Sequence, residues 1–203
     1  ENGQIIMKNG VPVFTTDEQY SLDHPIGNIQ PDLLMSVTPS FTYKGFTLSA
    51  LFDMKFGGDV VSVSEAIATS HGISKRTEQR GELLLPGMNE DGTVNTQRID
   101  AQLFYQAVGG RQQAVAEEFV YNASFIRLKE ISFGYSFPSL LLRKTPVSSL
   151  RVSFVGRNLA YLMKHTPGTS PEGGYDTSMF SQALDFSSLP YSRTFGFSIN
   201  VGF

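Results

Sequence analysis

The chain has 203 residues, with 16 Lys and Arg against 19 Asp and Glu, and a net charge of −3. This balance argues against nucleic acid as a main partner, because no basic excess is available to neutralise phosphates. The absence of cysteine excludes disulfides and cysteine-ligated zinc sites. No apolar run reaches the ~18 residues of a transmembrane helix. A membrane β-barrel stays open, because its strands need only alternate apolar residues over ~10 positions.

The first predicted elements are strands. The segment GQIIMKNGVPVFT predicts a hairpin at Asn9-Gly10 that lies outside the main sheet. Residues 32–43 and 46–56 alternate apolar and polar side chains, which is the pattern of two strands with unlike faces. The tight turn between them, Lys44-Gly45, places a glycine where a positive φ is needed.

Residues 57–122 form a long polar connection, punctuated by glycine, in which the alternation is lost. Helices are predicted around 64–70 and around 97–120. The stretch NEDGTV at 89–94 lacks the distal Glu of a calcium loop, and a turn is predicted there. A connection of this length far exceeds the usual run of about 2–6 residues and is normally functional or disordered.

Alternation returns at 124–137, 149–159 and 190–203, which predicts three further strands. A turn separates the first two, and the long connection 160–189 precedes the third. In the last strand, the large apolar residues share one side, and Thr, Gly, Ser and Asn share the other. These apolar residues are Phe195, Phe197, Ile199, Val201 and Phe203.

Charged side chains in the predicted strands fall into two groups. Arg127 and Lys129 share the parity of the apolar residues, which indicates either a position at a membrane interface or a β-bulge. A second group of four has the polar parity, where they would hydrate the interior of a barrel or contact a plug. They are Asp53, Lys55, Arg151 and Arg157.

Period two alone does not separate a membrane barrel from a soluble β-sandwich. Three features favour the barrel: in the terminal strand the face opposite the apolar one is small and uncharged, short and long connections alternate, and aromatic residues cluster at strand ends. The predicted fold is all-β, an antiparallel transmembrane β-barrel with long extracellular loops. Two alternatives stay open: a soluble β-sandwich carbohydrate-binding module, which would need a surface rich in Lys and Glu, and a passive porin or adhesin barrel.

No motif for catalysis stands out. The three histidines, His24, His71 and His165, lie apart in predicted loops, and no nucleophile signature such as G-x-S-x-G occurs. We therefore predict no catalytic, cofactor or metal site and no enzymatic activity. Substrate-binding residues stay unassigned, because the loop aromatics are more simply interpreted as packing among the loops than as stacking on a sugar or a lid protein. These aromatics are Phe104, Tyr105, Tyr161, Tyr175 and Phe180.

Several motifs, in order, resemble one family. They are IGNIQPDLLMSVTPSFTYKGFTLSALFDMKFGGDV, NASFIRLKEISFGYSFP, SLRVSFVGRNLAYL, PGTSPE and PYSRTFGFSINVGF. Together they resemble SusC/RagA-type TonB-linked outer membrane proteins, the last four matching the C-terminal end of that family. The resemblance implies a 22-stranded barrel with an N-terminal plug, driven by TonB and capped by a SusD-like lipoprotein. Such a protein imports oligosaccharides or peptides across the outer membrane of Gram-negative, Bacteroidetes-type bacteria.

For this chain, the resemblance implies that residues 1–203 are the C-terminal part of the barrel domain, without the plug and most strands. Lipid then takes the apolar side of the terminal strand, which also resembles the signal read by the barrel assembly machinery. If Phe203 faces the periplasm, connections 57–122 and 160–189 are extracellular and the short turns are periplasmic. The connection 57–122 is then expected to meet the lid protein or the cargo.

Overall fold

The computed structural model describes residues 5–14, 24–110, 115–168, 170–172, 174–175 and 181–203. Its strands are β1 (Ile6–Lys8), β2 (Val11–Pro12), β3 (Leu33–Val37), β4 (Ser40–Tyr43), β5 (Phe46–Phe56), β6 (Asp59–Ser62), β7 (Glu82–Leu84), β8 (Met88–Asn89), β9 (Arg98–Asp100), β10 (Val120–Asn122), β11 (Phe125–Ser136), β12 (Ser149–Lys164), β13 (Leu184–Asp185) and β14 (Thr194–Gly202). Its helices are α1 (Val63–Ser70), α2 (Ala101–Val108) and α3 (Ser139–Leu142), with two short 3₁₀ helices, η1 (Lys75–Thr77) and η2 (Ala116–Phe119).

The main sheet is antiparallel and has six strands in the order β14-β12-β11-β5-β3, with β4 paired to β5 beside β3. β3 and β4 act as one strand, because their pairing with β5 runs without a slip from Leu33–Phe56 to Tyr43–Phe46. The gap between them includes Pro39, which has no N–H to donate. The two strands predicted here thus form the expected hairpin.

The turn of this hairpin has positive φ at both central residues, 47° at Lys44 and 88° at Gly45. This combination matches the right-handed twist of the flanking strands. A Cβ on Gly45 would also lie 2.9 Å from the carbonyl oxygen of Ser136. The predicted positive φ at Gly45 is confirmed, and Lys44 also has a positive φ, which was not predicted.

Bulges interrupt the pairing of β11 with its neighbours. The register shifts between Leu128 and Glu130 on both sides. Lys129 is an extra residue relative to β5, whereas relative to β12 the extra residue lies in β12, where Asn158 and Leu159 stand against Lys129. Opposite this point, β12 contains Asn158 with a φ of 54°. Because pairing resumes beyond the bulge, β12 continues to Lys164, past its predicted end at 159.

The described residues of 57–122, which are 57–110 and 115–122, are folded, and together with β1, β2 and β13 we name them the loop layer. β6 pairs with β10 antiparallel and with β13 in parallel. Most of the buried apolar side chains of the described chain lie in this layer. They include Met7, Val60, Ala66, Leu83, Ala101, Val108 and Phe119.

Ser62 joins the two long connections at the start of α1. Its Oγ accepts a hydrogen bond from the Glu65 backbone N–H at 3.1 Å, which caps the helix, and it donates one to Asp185 Oδ2 at 2.6 Å. Ser62 and Asp185 are each 1% exposed. The predicted helix at 64–70 is confirmed, and β13 anchors the second connection to the first.

The helix predicted around 97–120 is wrong in extent. Its first residues, Arg98–Asp100, instead pair with β7 as strand β9. α2 follows, capped by Asp100, and ends before Gly109. Residues 111–114 of this prediction lie outside the described residues.

The hairpin predicted at the start of the chain is confirmed. Asn9 and Gly10 have φ values of 53° and 77°, and Met7 pairs with Pro12 across the turn. A Cβ on Gly10 would lie 2.6 Å from Ile99 Cγ2, so both conformation and space require glycine. β1 pairs with β8 in parallel, which places this hairpin outside the main sheet, as predicted.

Both faces of the main sheet are open. In the described part of the chain, no helix or second sheet packs extensively on either of them, and α1 packs with α2, η2 and β13 instead. The described strands form an open sheet with edges at β14 and at β3 and β4, and they do not close a barrel by themselves. None of the described helices is long and apolar enough to cross a membrane.

Candidate functional site

The apolar face of the main sheet carries a continuous row of large side chains. Each member lies opposite the next across five strand positions, from β14 to β4. The row consists of Phe197, Phe154, Phe133, Leu48 and Phe41, which are 79%, 39%, 51%, 43% and 67% exposed. A sheet of a soluble sandwich would bury such a row against a second sheet.

A second row on the same face widens this apolar surface. It consists of Ile199, Val152, Tyr135, Phe46 and Tyr43. Rings contact one another between strands, with centroids 5.8 Å apart for Phe46 and Phe133 and 4.6 Å apart for Phe46 and Tyr135. The apolar face is therefore a packed surface and not a set of isolated side chains.

The residues predicted to face lipid on the last strand are all uncovered. The exposed fractions of Phe195, Phe197, Ile199, Val201 and Phe203 range from 44% to 88%. Phe195 stacks on Phe154 of β12 with ring centroids 6.0 Å apart. None of these side chains is sealed in a two-sheet core, and their contact with lipid stays a prediction.

The opposite, polar face contains a row of small residues. One row across the strands consists of Ser198, Ser153, Gly134, Thr47 and Thr42. A Cβ on Gly134 would collide with Ser153 Oγ, and Ser153 is only 5% exposed. Side chains on neighbouring strands of this face therefore pack directly against one another, and only small residues fit between them.

The bulge at Lys129 changes the face on which Arg127 lies. Arg127 is opposite Asp53 of β5 and Tyr161 of β12, and Asp53 belongs to the polar face. An extra residue shifts the alternation by one position. The placement of Arg127 with the apolar residues is therefore wrong, and the alternative interpretation, a bulge, is confirmed.

Arg127 is the centre of a charged cluster on the polar face. Its side chain is 6% exposed and contacts two carboxylates, with Nη2 3.3 Å from Asp53 Oδ2 and Nη1 2.6 Å from Glu172 Oε2. Lys129 Nζ lies 2.6 Å from the same Asp53 oxygen. Ser36 Oγ donates to the other oxygen of Asp53. Because Glu172 belongs to the second long connection, the cluster ties that connection to the sheet.

The remaining charged residues predicted for the polar parity lie on the polar face. Arg157 Nε donates to Glu130 Oε2 at 2.8 Å, and Arg151 Nε donates to Ser153 Oγ at 3.4 Å. Neither Glu130 nor Glu172 was predicted to have a role. The signal for Glu172 was its place at the end of PGTSPE, and the signal for Glu130 was its polar parity, which it shares with Ser132 and Gly134.

The motif pieces IGN, PD and GGD meet where β5 leaves the main sheet. Asn28 N–H donates to Asp59 Oδ2 at 2.8 Å, and Asp59 N–H donates to the Asn28 carbonyl at 2.7 Å. Asp32 N–H donates to the Phe56 carbonyl at 2.9 Å. Gly57 has a φ of 76°, and a Cβ there would collide with the Asp32 carboxylate. These residues therefore build a corner and do not form a ligand site.

The loop aromatics do not form one surface. Tyr105 is buried with Leu83 and Ala101, and Phe104 packs against them. Tyr175 is exposed and contacts the ring of Phe186 at 5.5 Å. Tyr161 lies on the polar face beside Arg127, and Phe180 lies outside the described residues.

The loop histidines and the NEDGTV turn hold no assembled site. No cluster of three or more metal-ligating side chains occurs among the residues that the structure describes. His71 follows α1, with Nδ1 2.9 Å from the Ile67 carbonyl oxygen. Asp91 accepts hydrogen bonds from the Thr93 hydroxyl and N–H at 2.6 and 2.9 Å. These bonds hold the pKa of the Asp91 carboxyl below its ordinary value, and the predicted turn is confirmed.

Two known receptors are similar to the chain over most of its length. TonB-dependent receptor P3 of Formosa agariphila is 29% identical over 183 residues, which cover 88% of this chain and 17% of that receptor. TonB-dependent receptor SusC of Bacteroides thetaiotaomicron is 21% identical over 193 residues, 92% of this chain and 17% of SusC. The chain thus spans about a sixth of the length of either. No protein-family model matches it.

Solved structures show the same fold. The RagAB peptide importer in the closed-closed state superposes with a TM-score of 0.58 at 19% identity, over 98% of this chain and 20% of that one. The open-open state gives a TM-score of 0.56 at 20% identity, over 86% and 17%.

Proposed function

We propose that this chain, a segment of a SusC/RagA-type TonB-dependent receptor, forms part of the wall of an outer-membrane β-barrel that imports nutrients. The observation that carries the proposal is the uncovered apolar face. Its aromatic rows are exposed and no described helix or second sheet packs extensively on them, and the opposite face presents small polar and charged residues. This is the alternation of a barrel with lipid outside and water inside.

The magnitude of the exposure supports lipid as the covering phase. Burying one such side chain stabilises a fold by roughly 1.5–3 kcal/mol. Leaving a row of five about half exposed forfeits several kcal/mol, which is comparable with the ~5–15 kcal/mol stability of a whole domain. Soluble monomers rarely leave so large an apolar patch open, so the β-sandwich alternative is not favoured.

The two open edges support a wall that continues into further strands. Within a bilayer, an unpaired strand edge is prohibited because its N–H and C=O groups have no partner. In our proposal, the rest of the receptor supplies strands beside β14 and beside β3 and β4. The chain covers only 17% of TonB-dependent receptor P3 and 20% of the RagAB chain, which fits one section of a larger barrel.

The orientation follows from the connections. In our proposal, the ends at Lys44-Gly45 and at 137–148 face the periplasm, together with Phe203, which the barrel assembly machinery reads. Connections 57–122 and 160–189 then lie outside the cell. The pairing of β6 with β13 supports placing both connections on the same side of the membrane, because β6 belongs to the first connection and β13 to the second.

The transport role combines the family with these two faces. We propose import of oligosaccharides or peptides, energised by TonB through a plug that this chain does not include, with a SusD-like lipoprotein as lid. The fold of the RagAB peptide importer and the relation to SusC support this assignment. In this role the chain forms wall and loops, and it catalyses no reaction.

Uptake by the producing bacterium tests the proposal. Deleting the gene of the full-length receptor should abolish uptake of at least one member of a panel of labelled oligosaccharides and peptides. Discharging the proton gradient with a protonophore should have the same effect on the wild-type strain. Uptake that survives the protonophore would indicate a passive porin, and unchanged uptake in the deletion strain would contradict the import role.

Paired labelling tests the lipid face in the purified full-length receptor. A fluorophore attached to Cys in Phe197→Cys should be quenched by brominated lipids, and one in Ser198→Cys by a water-soluble quencher. The two positions are adjacent in β14, so depth is matched and only the face differs. Equal quenching of the two labels in both experiments would contradict the assignment of faces.

A further inference from the structure

A small cavity on the polar face lies beside the charged cluster, and the proposed wall function does not require it. Its volume is about 190 Å³. Its lining includes Arg127, which is 5% exposed, together with Tyr161, Ser170, Tyr191 and Arg193. A volume below the ~300–1,000 Å³ of sites for drug-sized ligands fits a single unit of an oligomer.

The lining of this cavity is cationic. Arg127, Lys164 and Arg193 line it, and no carboxylate is among the described lining residues. Asp53 and Glu172 contact Arg127 but do not line the cavity. These two carboxylates offset the charge of Arg127, and Glu172 also accepts a hydrogen bond from the Tyr161 hydroxyl at 3.0 Å. Lys164 and Arg193 therefore supply the positive field that favours a negative group.

Arg127 has donor capacity beyond its two carboxylate contacts. A guanidinium carries five N–H donors, and the contacts with Asp53 and Glu172 involve one on each terminal nitrogen. Its Nε is buried and has no hydrogen-bond partner in the described structure. This Nε is sealed from solvent and would reach a ligand only if the side chain shifted, whereas the exposed Arg193 donates to a ligand without rearrangement.

Aromatic rings hold the guanidinium in place. Its Cζ lies 5.2 Å from the ring centroid of Tyr191 and 5.9 Å from that of Tyr161. The Tyr161 hydroxyl is fixed by Ser170 Oγ at 2.7 Å. Tyr191 is half exposed, so one ring is available to a ligand entering from the polar side.

We infer that this cavity binds one carboxylated unit of the transported oligomer, held by Arg127 and Arg193 and flanked by Tyr191. The inference rests on the proposed import function, because it places the cavity on the water-filled side of the wall. It specifies the cargo as acidic. Uronic-acid oligosaccharides and acidic peptides share this chemistry.

Isothermal titration of the purified full-length receptor tests the inference with four probes. These are hexagalacturonate, its fully methyl-esterified form, hexaglutamate and hexaglutamine. At least one carboxylated probe should bind about tenfold or more tightly than its neutral counterpart, because hydrogen bonds to charged groups contribute that much. Glycan cargo is indicated if the difference is found between hexagalacturonate and its ester, and peptide cargo if it is found between hexaglutamate and hexaglutamine. Added salt should reduce the difference in affinity between a carboxylated probe and its neutral counterpart.

Arg193→Gln is the decisive variant, because Arg193 is exposed and lies in an irregular segment before β14, where the fold should tolerate the change. It should lower the affinity for the carboxylated probe about tenfold and leave the neutral probe unchanged. Arg143→Gln, in the exposed turn after β11, is the matched control and should bind as wild type. Thermal melting confirms that both variants are folded.

The outcomes separate this inference from the proposed function. Equal binding of charged and neutral probes, no binding of either carboxylated probe, or an unchanged preference in Arg193→Gln would overturn the cavity assignment and leave the import role standing. A charge preference lost in Arg193→Gln would support the cavity even if the deletion strain showed unchanged uptake.

Discussion

The main sheet and the loop layer distribute their apolar side chains in opposite ways. In the loop layer, Phe119 and Val108 are each 1% exposed, as in the interior of a soluble domain. In the main sheet, Phe197 and Phe133 are 79% and 51% exposed and no described element covers them. Under the proposed function, this difference means that one chain is folded for two solvents, with water around the loop layer and hydrocarbon against the sheet.

The largest expected effect is in the loop layer. Phe119→Ala should destabilise that layer by about 3–5 kcal/mol, because it removes a fully buried ring and leaves a cavity. Limited proteolysis of the full-length receptor in detergent would measure the loss as faster cleavage within 57–122. Leu103→Ala, in the same layer but 65% exposed, is the control and should behave as wild type. Equal sensitivity of both would contradict a water-type core in this layer.

The next effect should occur on the apolar face of the sheet. Phe133→Lys should cost about 2–4 kcal/mol, the penalty of a cation at the middle of a lipid-facing strand. Unfolding of the full-length receptor in lipid bilayers by denaturant measures it. Ser132→Lys, the adjacent residue on the polar face, should cost far less. If the two substitutions had the same cost, the distinction between the two faces would not hold.

A smaller effect tests the close packing of the polar face. Gly134→Ala should cost about 1–3 kcal/mol, because the new methyl group meets Ser153 Oγ and the strands must shift. Gly196→Ala is matched in residue type and face, and nothing lies within 4 Å of the position that its methyl group would take. It should leave the unfolding curve unchanged, and a comparable loss there would show that backbone entropy and not packing is responsible.

The smallest effect concerns the turn at Asp91. Because the folded-state pKa of this carboxyl is lowered by Thr93, its contribution is present above the ordinary Asp pKa of ~3.9 and is lost as pH falls through the lower folded value. Hydrogen exchange of the peptide 88–95, corrected for intrinsic rates, should show protection that declines in that acidic range. Asp91→Asn should remove this pH dependence without changing uptake. Protection that increases on acidification would contradict the assignment.

The main sheet was predictable because its signal is local. Alternation at 46–56 gives β5 with the predicted bounds, and Lys44-Gly45 marks its turn. The face of Arg127 was not predictable, because a single bulge residue inverts the parity of everything before it. The end of β12 was missed for the same reason, since Asn158 interrupts the pattern within a continuous strand.

The loop layer was largely unpredictable from the sequence. Its strands are only two to four residues long, too short for a period to show, and they pair over long separations such as Val61 with Leu184. α1 could be predicted because its cap and its helical pattern are local. The cluster at Arg127 also depends on distance along the chain, because Glu172 approaches it from the second long connection.

The ladder between Val61 and Leu184 has a consequence for chimaeric receptors. The hydrogen bond from Ser62 to Asp185 is buried at this junction, and the second oxygen of Asp185 has no partner in the described structure. A graft of one connection into a recipient receptor would expose this carboxylate to a foreign neighbour. The two connections therefore form one transplantable unit, and exchanging them together preserves the junction that exchanging either alone disrupts.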